Sequence, residues 1–300
     1  MNTNIKAHIA VLTTNLFFAV NYSFVKFISP SPLGPYALNL LRGGGSLLLF
    51  WSLWLFAKNK VAIRKQDMGR LALCGLFGIA INQMLFIKGL TMTTAIHASL
   101  LTLCTPIVIT ILGFWILKEG LSIVKIAGLL LGVIGSVWLI AGKQSTSQPK
   151  DYLLGDIFII LNGISYAIYF ILVKPLMEKY TPLQVVRWVF TFGFIMMLPV
   201  GWIQFGEVNW SQFSITHTGV LLFVVFAGTF LAYVFNVYGI SVLGPGVTSA
   251  YIYIQLVFAV AIAVLFFNEQ LTFQKIIAGI MILGGVYLVS MKKRNTDDTD

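Results

Sequence analysis

From residue 9 to residue 291 the chain is a succession of apolar runs, each about twenty residues long, separated by short polar breaks. The runs are continuous rather than alternating. That pattern fits helices, which satisfy their own backbone groups in lipid, and not the strands of a barrel. A helix needs roughly 20 apolar residues to cross about 30 Å of hydrocarbon. Spans are predicted at 9–28, 35–57, 69–88, 95–117, 123–142, 153–174, 183–205, 217–238, 246–267 and 273–291. The fold class is an all-α polytopic membrane protein.

Composition agrees. Only 10% of the 300 residues are charged and 58% are hydrophobic, where a soluble domain carries about 25% charged residues. The net charge of +10 raises a nucleic-acid partner as a possibility, and topology removes it. With both termini cytoplasmic, the connections on that side hold thirteen Lys and Arg, against five (Lys26, Lys88, Lys143, Lys150 and Lys275) on the other. The basic excess is the positive-inside bias. It gives cytoplasmic termini, and the expected location is the inner (cytoplasmic) membrane. The first run follows Lys6, contains Asn15 and Asn21, and lacks a small-residue cleavage site, so it reads as an uncleaved first span. Cys74 and Cys104 lie inside apolar runs and read as small core residues, with no disulfide framework or metal spacing.

The polar breaks repeat. "WILKEGLS" (Trp115–Ser122) returns as "LFFNEQLT" (Leu265–Thr272), so Glu119 and Glu269 stand 150 residues apart. Gly89 pairs with Gly239, Ser99 with Ser249, Ala19 with Ala167, Lys26 with Lys174, and Arg42 with Arg187. Each half holds five spans, an odd number, so the second half enters the membrane from the opposite side. That gives ten transmembrane helices as two inverted five-helix repeats, an architecture of many secondary transporters. The division is 5–142 for the first repeat, 143–152 for an extracytoplasmic linker, 153–291 for the second repeat and 292–300 for a cytoplasmic tail.

The Glu-x-Leu-(Ser/Thr) turns at Glu119–Ser122 and Glu269–Thr272, the Gly-rich helix after each, and the Arg of each second span resemble the EamA type of the drug/metabolite transporter superfamily. The resemblance covers nearly all of residues 5–291. It departs at the fourth span of the second half, where Leu256 stands opposite Pro106. It implies export of small metabolites, with amino acids first among them, from a cavity formed by spans 1, 3, 4, 6, 8 and 9.

Glu119 and Glu269 are expected to cap the turn between the last two helices of each half, where a carboxylate meets free N–H groups and the positive dipole end. Gly128, Gly132, Gly279 and Gly284 are expected to pack helices closely.

Polar groups in a bilayer face a cavity or a partner. Asn15, Tyr22 and Lys26 form one helical stripe, Asn162, Tyr166 and Tyr169 another, and Thr229, Tyr233 and Asn236 a third. Asn82, Gln83, His97, Thr102, Thr105, Thr248, Tyr251 and Gln255 complete the set. The expected substrate-binding residues are Asn15, Tyr22, Asn82, Gln83, His97, Thr102, Asn162, Tyr166, Tyr169, Tyr233, Asn236, Tyr251 and Gln255. Each could instead bond a neighbouring helix. Asn, Gln and Tyr suit a neutral or zwitterionic solute with an apolar part. Arg42 and Arg187 are candidate partners for a carboxylate, or they snorkel. Lys26 and Lys88 are expected to snorkel. His97 is a candidate for a coupling proton. Asp156 reads as a helix N-terminal carboxylate. Trp51, Trp54, Trp202 and Trp210 read as interface anchors.

The leading function is a secondary transporter, an exporter working by alternating access around a midplane cavity. It needs no cofactor, and its partners are a small-molecule substrate and the lipid bilayer. The alternative is an intramembrane enzyme, or a carrier of lipid-like or drug-like molecules. The sequence has no His-Glu-x-x-His, no Gly-x-Ser-x-Gly and no phosphate-binding Gly-rich loop ending in Lys-Ser/Thr.

Overall fold

The computed structural model describes residues 3–56, 62–105, 107–108, 111–112, 123–141 and 151–290, and these residues are helical with short connections and no strand among them. The helices are α1 (Thr3–Ile28), α2 (Pro35–Leu55), α3 (Lys65–Gly75), α4 (Ile81–Met92), α5 (Ala95–Thr102), α6 (Ile123–Ala141), α7 (Tyr152–Met177), α8 (Pro182–Gly206), α9 (Ile215–Val225), α10 (Ala232–Ala250), α11 (Ile252–Phe267) and α12 (Phe273–Ser290). Pro106, Lys118, Glu119, Ser122, most of the linker and the tail 292–300 lie outside the described residues, as do the side chains of Lys174, Thr248 and Ser249. Among the described residues five helical stretches are long and apolar enough to cross a membrane, and shorter apolar helices run at Ile123–Leu139, Ile254–Phe267 and Phe273–Gly285. Exposed Leu48, Ile195, Leu222, Val257 and Ile280 mark faces suited to lipid.

Helix starts follow from local chemistry. α8 begins with Pro182 after Thr181, whose side chain forms a capping box with Gln184. α2 begins with Pro35 and lacks a cap of its own. Gln204 of α8 supplies one, its Oε1 accepting from the backbone N–H of Tyr36 at 2.7 Å and Ala37 at 3.3 Å. The antiparallel pair α2–α8 is thereby fixed in register.

The two halves interlock. α1 leaves its own repeat to pack on α10 and α11, while α7, its counterpart, packs on α3, α4 and α5. α6 and α12, the last helices of the two repeats, pack together. At their crossing a Cβ on Gly285 would lie 2.6 Å from the Gly128 carbonyl and from the Gly132 N. Only glycine permits that approach, as expected for small residues between helices in lipid.

Between α3 and α4 the helix makes one π turn, Leu76–Ala80, and between α9 and α10 another, Phe226–Leu231. The two begin 150 residues apart, at the same point of the repeat. Each carries a glycine under a side chain of the other repeat's first helix. A Cβ on Gly78 would meet Tyr169 of α7 at 2.5 Å, and one on Gly228 would meet Asn21 of α1 at 2.8 Å. Asn21 and Tyr169 are repeat equivalents in the register that pairs Ala19 with Ala167. π turns cluster at functional sites, and this pair lies midway along the two stretches that carry it.

Candidate substrate site

Halfway along the bundle the π turns bring polar groups inward. Thr229, inside the second turn, donates its hydroxyl to the Val224 carbonyl five residues back, at 2.8 Å. The same oxygen accepts from Arg42 Nε at 3.2 Å. Arg42 is 5% exposed, and its Nη1 is buried with no hydrogen-bond partner. Tyr233 lies within electrostatic range of Arg42, and Tyr166 and Tyr169 within range of Tyr233. The Tyr166 and Tyr169 rings stand 5.7 Å apart. Tyr233 meets Phe18 and Phe190 edge-on at 6.2 and 5.0 Å. One unsatisfied cation among aromatic walls can take an anion that carries an apolar part: the guanidinium pairs the charge and the rings cover the rest.

Other expected residues bond to neighbouring side chains and backbone. Asn82 Nδ2 donates to the Asn162 carbonyl at 3.1 Å, and Asn162 Nδ2 donates to the Asn82 carbonyl at 2.9 Å. This reciprocal clamp joins α4 to α7. Gln83 donates to Asn82 Oδ1 at 3.0 Å. Asn15 turns back on the Val11 carbonyl of its own helix at 2.8 Å. Tyr22 donates to Thr102 at 3.0 Å, and Thr102 to the Ala98 carbonyl at 2.8 Å. Tyr251 binds His8 at 2.7 Å. Asn236 and Gln255 are half-buried on α10 and α11. Arg187 is remote in kind from Arg42. It lies in the second turn of α8, its Cζ 4.2 Å from the Trp54 ring and 4.5 Å from the Trp51 ring.

At the end where α1 finishes and α5 and α7 begin, charges converge. Lys26 does not snorkel. Its Nζ donates to the Thr93 carbonyl at 2.6 Å and lies 3.6 Å from Glu269. Glu269 does not cap its own helix. Its two oxygens accept from the backbone N–H of Ala95 at 2.8 Å and Ile96 at 3.0 Å, at the start of α5 in the other repeat. Thr272 takes the cap of α12 instead, accepting from Lys275 N. Asp156 lies past the first turn of α7 and is fully buried. It accepts from Thr93 Oγ1 at 2.5 Å and pairs with His97 Nδ1 at 3.1 Å.

The comparisons decide the family. A model of the EamA-like transporter family matches residues 5–141 and 153–291. The chain belongs to that family, within the drug/metabolite transporter superfamily. Family members are membrane transporters, not enzymes. An uncharacterized transporter of Archaeoglobus fulgidus is 25% identical over 97% of this chain and 99% of its own. The uncharacterized transporter YetK of Bacillus subtilis is 25% identical over 84% of this chain and 77% of its own. A WAT1-related protein of Arabidopsis thaliana is 24% identical over 96% and 86%. One crystal structure superposes with a TM-score of 0.60 over 95% of each chain at 16% identity, a likeness of fold.

Within the EamA-like frame, sequence reading alone did not single out Asn21, Asn39 or Thr93 as buried polar residues of interest. Asn21 Oδ1 and Asn39 Oδ1 are buried without partners. Asn21 was visible as a polar residue in the first span. Nothing in its spacing pointed it at the π turn of the other repeat.

Proposed function

We propose that this EamA-like protein exports small carboxylate-bearing metabolites, amino acids first among them, by alternating access around the Arg42 site. The observation that carries the proposal is the buried, unpartnered Arg42 Nη1 within range of Tyr233, which is in turn within range of Tyr166 and Tyr169. A buried cation without a counter-ion is costly, and a substrate carboxylate would relieve that cost on entry. The exchange of first helices between repeats supports rocking of one bundle against the other, since each bundle then contains parts of both halves. The membrane is the cytoplasmic one and both termini face the cytoplasm, on the distribution of Lys and Arg. That topology puts the Lys26–Glu269 cluster at the outer end, where it closes the bundle. His97, held by Asp156, is the group placed to carry a coupling proton.

The test is uptake of labelled amino acids, aromatic and aliphatic, into proteoliposomes with and without an imposed pH gradient. Saturable flux that is lost in Arg42→Gln is the expected result. Absence of flux for every carboxylate solute, with flux of uncharged aromatic drugs, would move the reading to drug-like substrates. The Phe18, Phe190 and Tyr233 edges also fit those molecules.

A further inference from the structure

A cation-bearing cavity lies away from the Arg42 site, where α2 ends and α3 and α8 begin. Its volume is about 380 Å³, and Trp51, Trp54, Trp188, Met68, Lys65 and Arg187 are among its walls. Arg187 is 3% exposed, yet its Nε and Nη1 are buried with no hydrogen-bond partner. Among the described residues no carboxylate pairs with it; the ion pairs there are Lys26–Glu269, His97–Asp156 and Lys179–Asp67. The indoles of Trp51, Trp54 and Trp188 stand 4.5, 4.2 and 5.7 Å from its Cζ. Stacking holds the plane of a guanidinium and leaves its in-plane donors to be satisfied by something else. Trp51 is itself pinned, donating to Thr191 Oγ1 at 3.2 Å, while Thr191 donates to the Arg187 carbonyl at 2.8 Å. The cation is therefore fixed in position, and among the described residues no carboxylate neutralises it.

We infer that this cavity binds the phosphodiester of an anionic phospholipid from the adjoining leaflet. Three features select that occupant. The cavity sits at helix ends, level with headgroups rather than acyl chains, as tryptophans at span ends also indicate. Its walls are mostly indole, thioether and aliphatic, which suit the glycerol and ester region of a lipid and not a fully hydrated inorganic anion. Lys65 adds a second cation at the cavity, and Arg64 precedes it while Arg70 follows on α3, basic residues of the kind that draw anionic lipid to a membrane surface. Leu53, Leu55 and Phe56, exposed at the end of α2, offer an apolar path for the acyl chains. The inference is independent of which solute the Arg42 site carries.

Native mass spectrometry of the full chain, released from detergent micelles doped with phosphatidylglycerol or phosphatidylcholine, tests it. The wild type is expected to retain phosphatidylglycerol about tenfold over phosphatidylcholine. Arg187→Gln is expected to lower that retention by about tenfold, the scale of one lost hydrogen bond to a charged group. Lys65→Gln, at an exposed position that leaves the fold intact, is expected to lower it about twofold. Equal retention of the two lipids by the wild type overturns the inference, and so does retention unchanged in a folded Arg187→Gln. Displacement of phosphatidylglycerol by millimolar inorganic phosphate overturns the lipid as occupant and leaves a site for a free anion. If Arg187→Gln does not fold, the wild-type lipid preference and Lys65→Gln decide the matter.

Discussion

Arg42 and Arg187 hold equivalent places in the two repeats, near the start of the second helix of each. Their surroundings are opposite. Arg42 reaches into the bundle and donates to Thr229, a residue of a π turn. Arg187 turns to the end of the bundle and is packed among Trp51, Trp54 and Trp188. Both are almost wholly buried and both keep an unpartnered nitrogen. An inverted repeat fixes where a side chain leaves its backbone. What the side chain then meets depends on its neighbours, and those differ: a hydroxyl in one repeat, a cage of indoles in the other. The duplication has yielded one central cation and one cation at the rim.

The largest expected effect comes from neutralising each arginine in turn. Arg42→Gln is expected to abolish measurable saturation. Losing one partner of a buried charge pair costs about 2–5 kcal/mol, which is roughly 30-fold to several thousand-fold in affinity. Arg187→Gln is expected to leave the KM for flux within about twofold, because its partners are rings at a helix end and not the tyrosines of the centre. Uptake kinetics of the two variants in the same liposomes make the check. Equal losses would break the contrast and put both arginines on the transport path.

A smaller effect is expected from Thr229→Val. The change is close to isosteric and removes the acceptor of Arg42 Nε, leaving a second donor of a buried guanidinium unsatisfied. Such a loss costs about 1–3 kcal/mol. Flux is expected to fall by roughly tenfold, with the rise in KM partly relieved by solutes that offer two acceptor oxygens. A variant with wild-type kinetics would show that the π turn does not position the cation.

The contrast also marks what the sequence could and could not disclose. Spans and repeat were legible because a helix in lipid must be apolar along its length, so hydropathy reads almost directly as architecture. The polar residues were legible as a set but not by role. Asn82 and Asn162 carry the same signal as Tyr166, a polar group at helical spacing, yet they clamp each other's backbones while Tyr166 sets its ring against Tyr169. What each polar residue bonds to is a property of the packed interface and leaves no mark in either stripe. Neither π turn is announced by Pro, since 76–80 reads LFGIA and 226–231 reads FAGTFL. Glu269 misled for a related reason. An acidic residue just before a helix points to that helix, and the fold brings α5 of the other repeat to it instead.

The smallest effect sharpens the contrast from the side of Glu269. Its side chain is 14% exposed and that of Lys26 is 26%, so the charge pair between them is partly solvated and worth about 0–1 kcal/mol. The capping bonds to Ala95 and Ile96 are worth more, about 0.5–2 kcal/mol. Glu269→Gln keeps an acceptor for one of those N–H groups while removing the charge, and Glu269→Ala removes both. Thermal unfolding in detergent is therefore expected to place Glu269→Gln near the wild type and Glu269→Ala below it by about 0.5–2 kcal/mol. The ordering matters more than the size. If the glutamine variant fell as far as the alanine, the charge and not the cap would hold this end together. Glu269 and Lys26 would then behave as a desolvated pair, with the energetics expected of Arg42. If the order is as expected, charge is decisive only where the bundle excludes water, and this end of the molecule is held by helix capping between repeats.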